Sequence, residues 1–371
     1  MKKLKILELT NFSAGICGVW IRVREEAVRL AKKGHEVKVF SSNLAKGSNQ
    51  IALPEEKIGK VRISRFPSRK IGGESFMKWN FEKEAIKFRP DIIIAHSYRH
   101  MHTTEALKIA KKIGCKVFLV THAPFGRDST RSFLAKIVVL LYDALIGPKT
   151  INHFDKIIAI TNWEIPYLLK LGANKSKIEY VPNGIPIEFF TLKKKIKTEN
   201  KILFLGRVSP IKSIETVLYA MPLFKDNNLT FEIIGPAEQG YLSKLKSLIK
   251  RLNIEKRVVF SKPIYDIREK IRKIDSASIF ILPSKSEGMP QGLIEAMARG
   301  SVVIASDIPA SRDLIKNGKN GLLFPVGNNQ KLAEKIDIAL TNNLNTLTKE
   351  TRKSVEKFSW DKIITRLERL F

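Results

Sequence analysis

Apolar residues occur in short runs that alternate with segments of helical period. Leu4–Leu9 reads as an apolar strand, Thr10–Cys17 as a loop, and Gly18–Lys33 as a helix. In that helix Val19, Val23, Ala27, Leu30 and Ala31 keep close to the 3.6-residue period. Gly34 is placed to end it, and Glu36–Ser41 is the next strand. Asp91–Ala95, Lys116–Thr121 and Lys156–Ile160 are further strands, each followed by loop or helix signals. The pattern restarts after Pro182, with strands at Lys201–Leu205, Leu229–Ile234, Arg257–Phe260, Ile279–Leu282 and Ser301–Ala305.

Buried strands alternating with helices imply a parallel sheet covered on both faces. Two such series predict an α/β protein of two Rossmann-like doubly wound domains facing each other across a cleft. The boundaries fall at 1–185 and 186–355, and a helix over about 356–371 is expected to pack back on the first domain. The expected hinge lies between Pro182 and Asn200, with Lys193–Lys197 as a charged connector. Ligands of open parallel sheets sit beyond the carboxyl ends of the strands, so the cleft is where chemistry is expected. Phe133–Ile146 is nearly all apolar apart from Lys136 and Asp143. It is shorter than the roughly 20 residues that span a bilayer, so it reads as a buried helix, with an interfacial helix as the alternative.

Composition changes the picture in two ways. The 371 residues are 44% hydrophobic and 27% charged, an ordinary globular balance that excludes disordered, collagen-like and coiled-coil chains. Cys17 and Cys115 are the two cysteines, too few for a disulfide framework or a four-thiolate zinc site, and they suit a reducing compartment. Met1–Leu9 is a short basic lead without a signal-peptide pattern, so a cytoplasmic protein is expected. The net charge of +30 is the anomaly. It attracts nucleic acid, phosphorylated substrates or acidic lipid headgroups. The excess is spread, +17 over residues 1–185 and +13 over 186–371, and no block carries it. Aromatic residues are not interleaved with the cations as a stacking platform would require. A nucleic-acid binder is disfavoured, and a basic surface with an anion-binding cleft remains.

Candidate chemistry concentrates in two stretches. In Pro283–Asp307 a strand runs into a loop with Gly288, Pro290 and Gly292, then into a helix from about Leu293. Backbone N–H groups and a helix N-terminus aimed at a ligand suit a phosphate. Glu287 and Glu295 are placed to accept hydrogen bonds from sugar hydroxyls. Taken alone, this spacing fits a capped helix with two solvated glutamates equally well. In Phe204–Ser213 a strand ends at Gly206, and Arg207 and Lys212 follow it. Two cations there neutralise a diphosphate, Arg as a fork and Lys as a point charge. In a chain with 66 basic residues, only their conjunction with the glutamate loop distinguishes them from surface cations.

The order of motifs is Gly15 and Gly18 after the first strand, GHEV at 34–37, Thr121-His122, PNGI at 182–185, GRV with Lys212, and EGMPQGLIEAMARG at 287–300. This order resembles the retaining glycosyltransferases of group 1, family 4, which have the two-domain GT-B fold. The likeness covers nearly the whole chain, is strongest over 200–327 and is weaker over 45–90. It implies transfer of a glycosyl group from a UDP- or GDP-sugar to an acceptor hydroxyl, with retention at the anomeric carbon. The acceptor would be a glycan or a lipid-linked sugar. By the same resemblance Arg207 and Lys212 grip the donor diphosphate, Glu287 contacts the donor sugar and Glu295 binds the ribose. Backbone groups of Gly206 and of Gly288, Met289, Pro290, Gln291, Gly292 and Leu293 hold phosphate and sugar. Gly18 lets backbone approach the phosphates, and His122 lies near the reacting sugar. No cofactor and no metal are expected.

The chain departs from the family pattern at several positions. Cys17 replaces the first of two adjacent glycines, Ser213 follows the lysine where glycine is common, and Met289 stands where an aromatic is usual. The glycine turn after the second strand of the second domain is reduced to Gly235-Pro236. His96, His100 and His102 have a spacing that invites a metal, but no carboxylate or thiolate stands at ligand distance in sequence, and loop histidines on the acceptor side are the other reading. The first turn lacks a dinucleotide fingerprint, which counts against NAD chemistry. A nucleotide-sugar epimerase of the same fold is the rival enzyme. The basic N-terminal half and the apolar segment 133–146 together lead us to expect attachment to an anionic membrane surface.

Overall fold

The computed structural model describes residues 2–15, 17–48, 50–71, 73–125, 133–191, 198–341 and 345–371. The expected connector Lys193–Lys197 lies outside the described residues. The chain separates into two compact units, one made of Met1–Phe125, Arg131–Gly184 and Trp360–Phe371, the other centred on Ile185–Ser359.

The first unit contains β1 (Lys5–Thr10), β2 (Glu36–Ser42), β3 (Glu55–Ile58), β4 (Val61–Phe66), β5 (Ser68–Lys70), β6 (Met77–Trp79), β7 (Ile92–His96), β8 (Lys116–Val120), β9 (Lys156–Ala159) and β10 (Ile178–Tyr180). Eight of them form a sheet in the order β10-β9-β8-β7-β1-β2-β4-β3. Every pairing in it is parallel except β3 against β4. β5 and β6 make a separate antiparallel hairpin. The second unit has β11 (Glu199–Leu205), β12 (Thr230–Ile234), β13 (Val258–Ser261), β14 (Ala277–Leu282), β15 (Val302–Ser306) and β16 (Leu322–Phe324). Its order is β13-β12-β11-β14-β15-β16, parallel throughout. Both sheets are doubly wound, as the alternation of strand and helix predicts.

The central strands are apolar on both faces because helices cover both. Ile6, Leu7, Leu9, Ile93, Ile94 and Leu119 are fully buried in one sheet, and Ile202, Leu203, Ile279 and Ile281 in the other. Glu8 and His96 break this rule, both with no exposed surface. The order in which strands are added reverses between β1 and β7 in the first sheet and between β11 and β14 in the second, while the strands stay parallel. Beyond the carboxyl ends of such neighbours a crevice opens, and both phosphate-type motifs of the second unit fall there.

One expectation is corrected. Phe133–Leu141 is an α-helix continued by a π-helical turn over Tyr142–Ile146, but it is not buried. Phe133 is 77% exposed, Leu134 73% and Leu140 68%. Asp143 anchors the segment's far end, accepting from Arg99 Nε at 2.8 Å and from the Tyr98 hydroxyl at 3.3 Å. Apolar character set the expectation of burial, and among the described residues most of these side chains stay exposed.

The last helix, Trp360–Glu368, packs on the helix Gly18–Lys32. His35 Nε2 meets Glu368 Oε1 at 3.1 Å, and Trp360 is 2% exposed. A Cβ on Gly184 would lie 2.5 Å from the Trp360 ring and 2.8 Å from its Cα, so the chain passes there only as glycine. Gly184→Ala is therefore expected to lower the unfolding free energy by roughly 1–3 kcal/mol through overpacking. Urea denaturation measures this, and an unchanged midpoint would contradict the contact.

Candidate active site

In the second unit the exit of β11 and the exit of β14 are stitched together. Lys285 N donates to Ile211 O at 2.8 Å, which lays the β14 loop on the turn Pro210–Lys212. The stitch brings Lys212 and Glu287, 75 residues apart, into an ion pair with Nζ 2.5 Å from Oε1. Ser284 Oγ donates to the same oxygen at 2.7 Å. Both charged side chains are largely shielded, 17% and 10% exposed, which strengthens a charge interaction relative to the open surface. Arg207 is not part of this pair. It is 58% exposed, and Glu238 is 3.9 Å away.

Glycine sets how closely the elements approach. The helix Gln291–Ala298 starts against the end of β11, and a Cβ on Gly292 would lie 2.9 Å from Leu205 O and 3.4 Å from the Phe280 ring. Gly235 has φ +148°, and its Cβ would come within 2.0 Å of Gly206 O. The reduced Gly235-Pro236 turn therefore still supplies the one glycine that the backbone needs. Ser213, where glycine is common, has φ +50°, a left-handed conformation costly for a side-chain residue. It is held by burial and by a 3.0 Å contact of its hydroxyl with Thr216 Oγ1. No side chain caps the helix Gln291–Ala298, whose N-cap is Pro290. Its first N–H groups project beyond the strands with the positive end of the helix dipole. Gln291 Nε2 is buried without a partner, a donor that a ligand oxygen would satisfy.

Glu295 lies one turn further in, 7% exposed. Burial raises its carboxyl above the usual range, and Lys270 acts in the opposite direction. Lys270 Nζ reaches its two oxygens at 3.0 and 3.2 Å. Sequence reasoning missed Lys270, which sits on the helix Ile267–Ser276 among many similar cations.

In the first unit Gly18 opens a helix, with space for a Cβ and an ordinary φ. The fold itself does not require glycine there. Cys17 is the N-cap of the same helix at φ −139°, extended backbone that any residue adopts. His122 follows β8 in a left-handed conformation, φ +61°, as does Ala123 at +50°. Glu164 braces this strand end. It accepts from Thr121 Oγ1 at 2.6 Å and from the amides of Ile160 and Thr161 at 2.6 and 3.1 Å. Burial pushes the Glu164 carboxyl up to about 7.

The three histidines of the spaced cluster do not converge. His96 closes β7 and contacts Glu8 and His122, His102 Nε2 meets His96 O at 2.8 Å, and His100 Nδ1 meets Asn11 Nδ2 at 2.7 Å. His96 and His102 are buried, so they are not exposed loop histidines. Glu8, Glu26 and His96 are the group among the described residues whose atoms come close enough for a metal. The Arg22 guanidinium, 2.7 Å from Glu26, already supplies positive charge there. Burial lowers His96 to about 4 and raises Glu8 to about 8. The carboxylate inside the apolar run of β1 was the available signal for this cluster.

Comparison with known proteins gives a consistent result. The family described as Glycosyl transferases group 1 matches residues 187–358, and Glycosyltransferase Family 4 matches residues 16–189. The UDP-Gal:alpha-D-GlcNAc-diphosphoundecaprenol alpha-1,3-galactosyltransferase of Escherichia coli is 27% identical, over 77% of this chain and 76% of its own. Sucrose-phosphate synthase from Thermosynechococcus elongatus superposes with a TM-score of 0.79 at 19% identity, over 99% of this chain and 98% of its own. The Anabaena protein HepE, in complex with UDP and glucose, gives 0.76 at 17% identity, over the same shares.

A dependence of stability on pH follows from the buried carboxyls. Above about pH 7.5 the buried histidines are neutral both folded and unfolded, whereas below it their lowered values make stability rise with pH. Glu8 keeps its proton in the folded chain up to about 8 but loses it near 4.5 when unfolded, so raising the pH favours unfolding. The Glu8 contribution to stability is expected to fall by at most about 1.4 kcal/mol per pH unit as the pH rises to about 8, and the difference between wild type and Glu8→Gln isolates it from the histidines. Glu8→Gln removes that contribution. Urea titrations at several pH values check it, and identical slopes in both proteins would refute the assignment.

Proposed function

Since the chain belongs to the group 1 glycosyltransferases and has their GT-B fold, we propose that it transfers a hexosyl group from a UDP-sugar to a glycan or lipid-linked acceptor, with retention. The observation that carries this reading is the shielded Lys212–Glu287 pair beside the uncapped helix start, at the point where the strand order of the second sheet reverses. The family assignment favours transfer over the epimerase alternative, and over nucleic-acid binding.

In the proposed reaction the acceptor hydroxyl oxygen bonds to the anomeric carbon as the bond from that carbon to the diphosphate oxygen breaks. Attack comes from the leaving-group side, and a donor phosphate oxygen takes the acceptor's proton, so nucleoside diphosphate leaves and configuration is kept. Negative charge grows on the diphosphate. Lys212, Arg207, the amides of Gly292 and Leu293, and the orphaned Gln291 amide are its proposed stabilisers, fixed in advance rather than reorganised during the step. No metal or cofactor is called upon. Glu287 Oε1 is engaged by Lys212 and Ser284, which leaves Oε2 for a sugar hydroxyl. Glu295 is assigned the ribose, shared with Lys270. Gly206, Gly288, Met289 and Pro290 complete the donor wall, Gly18 allows close approach of backbone, and His122 is assigned a contact to the transferred sugar.

A UDP donor, rather than GDP, is supported by the name of the Escherichia coli relative and by the UDP bound to HepE. The relative's name also contains a lipid diphosphate acceptor. The exposed helix Phe133–Leu141 supports a related assignment for this chain. A helix apolar but for one lysine, Lys136, is normally covered, and here a basic half-chain carries it. No described helix is long and apolar enough to cross a membrane. We assign the segment to shallow insertion at an anionic membrane surface on the cytoplasmic side.

Lys212→Ala and Arg207→Ala are each expected to lower kcat/KM by about two orders of magnitude with little change in melting temperature. Near wild-type turnover in both variants would overturn the diphosphate assignment. For the membrane, the protein is expected to sediment with anionic liposomes at low salt, to come off at high salt, and to lose binding in Leu134→Ser/Leu140→Ser. Protein left in the supernatant with anionic liposomes would refute surface attachment and leave the transferase reading intact.

A further inference from the structure

Three side chains of the first unit form a hydrogen-bonded line. Glu8 Oε2 lies 2.7 Å from His96 Nε2, and His96 Nδ1 lies 2.9 Å from His122 Nε2. Glu8 and His96 are wholly buried, and His122 is half-buried at the end of β8. Each contact needs one proton between its two atoms. With both rings neutral, two arrangements satisfy both contacts without leaving an acid proton stranded on Glu8 Oε1, which is buried without a partner. In the first, a protonated Glu8 donates to His96 Nε2, His96 Nδ1–H donates to His122 Nε2, and His122 carries its own proton on Nδ1. In the second, an ionised Glu8 accepts from His96 Nε2–H, His96 Nδ1 accepts from His122 Nε2–H, and His122 Nδ1 is a bare lone pair. The carboxyl of Glu8 thus decides, two rings away, whether His122 offers a ligand a donor or an acceptor.

We propose that Glu8 and His96 are positioning residues that hold His122 in its Nδ1–H form, so that it donates a hydrogen bond to an oxygen of the bound sugar nucleotide. The proposal rests on the assignment of His122 to the transferred sugar made above.

The groups that face this line favour the first arrangement. Arg22 and Glu26 approach from the helix Gly18–Lys32, and His100 and His102 from the segment after β7. Burial raises Glu8 to about 8, against the pull of Arg22, so at neutral pH it is mostly protonated and able to donate. Burial lowers His96 to about 4 and His122 well below its usual value, with Arg22 acting in the same direction, so both rings are neutral. Glu26 does not compete for the His96 proton on equal terms. Its nearest oxygen is 3.7 Å from His96 Nε2, and its other oxygen is paired with Arg22 at 2.7 Å. Arg22 is fixed in turn by Val181 O and Asn183 Oδ1, each at 2.9 Å. The His122 backbone is held independently, through the adjacent Thr121 and its bond to Glu164. A ring so held has its tautomer as the remaining freedom, and an Nδ1–H suits a hydroxyl or phosphate oxygen.

The test is nitrogen NMR on histidine-labelled protein, with the His122 signals assigned by their loss in His122→Asn. Of six histidines, His96 and His122 should change together, both moving between their Nδ1–H and Nε2–H forms. The expected result is an Nδ1–H tautomer at pH 6.5 in wild type and in Glu8→Gln, whose amide can donate as the protonated acid does. In Glu8→Leu the line loses its direction, and a mixture of the two tautomers is expected. Wild type needs no variant, because raising the pH through about 8 should move His122 toward the Nε2–H form. An Nε2–H tautomer in wild type at pH 6.5, or a tautomer unchanged between wild type and Glu8→Leu, would overturn the proposal. So would a tautomer unchanged in wild type between pH 6 and 9.5.

Turnover separates this inference from the reading beneath it. Glu8→Leu is expected to lower kcat about tenfold, the loss of one well-formed hydrogen bond, with UDP affinity unchanged. If His122→Ala lowers kcat but its tautomer in the other variants ignores Glu8, the relay fails and the role of His122 stands. If the tautomer follows Glu8 while His122→Ala leaves turnover at the wild-type level, the coupling stands and the sugar contact fails.

Discussion

The carbonyl of Leu205 and the Cα of Gly292 define the geometry of the second unit. Their approach leaves no room for even one carbon between strand end and helix start. Because β11 cannot move away without breaking its pairing to β12 and β14, the helix must begin where it does. Its unpaired amides therefore emerge beside the turn that carries Lys212. The loop from β14 is then short enough to return Glu287 onto that lysine. A single close contact thus converts two separate loop motifs into one charged surface. The same logic explains Gly235, which lets the next strand's exit pass against Gly206.

Much of this was legible in the amino-acid sequence, for reasons that differ by residue. The ends of β11 and β14 were readable because Gly206, Arg207, Lys212, Glu287 and Gly292 combine turn chemistry with charge at fixed spacing. The central strands were readable because continuous apolar runs have few other uses. The strand β4 was missed although Val61 and Ile63 alternate inward, because its third inward position holds Arg65, buried against Ser13. The three-residue strands β10 and β16 are too short to show a period at all. Lys270 could not be picked from a crowd of cations, and its pairing with Glu295 depends on two helices meeting. For Phe133–Ile146 the apolar character was plain, but hydropathy records a preference for leaving water and not the destination.

The first unit gathers its polar exceptions on its central strands β1 and β7, on the helix Gly18–Lys32 that covers them and just past the end of β8, and this is unusual in a fold whose strands are otherwise apolar. Glu8, Glu26, Arg22, His96 and His122 are tolerable there because protons are shared along them and one ion pair cancels its own charge. Removing one partner from such a set is costlier than replacing all of it, since each member is the solvation shell of the next. The group therefore behaves as a block, at the same strand ends where the left-handed backbone of His122 and Ala123 is stored.

The return of Trp360–Phe371 to the first unit has a consequence for how the protein is made. Residues 1–184 leave the ribosome without the helix that covers Gly184 and pairs with His35. The intervening 175 residues, from Ile185 to Ser359, must be synthesised before that helix exists. At about 5–20 residues per second this delay is roughly 10–35 s. During it the segment Ile185–Ser359 can complete its own sheet, while the first unit still lacks the helix that packs on Gly18–Lys32. The half that starts translation is then the last to close, and a chain stopped a dozen residues early would lack the piece that closes it.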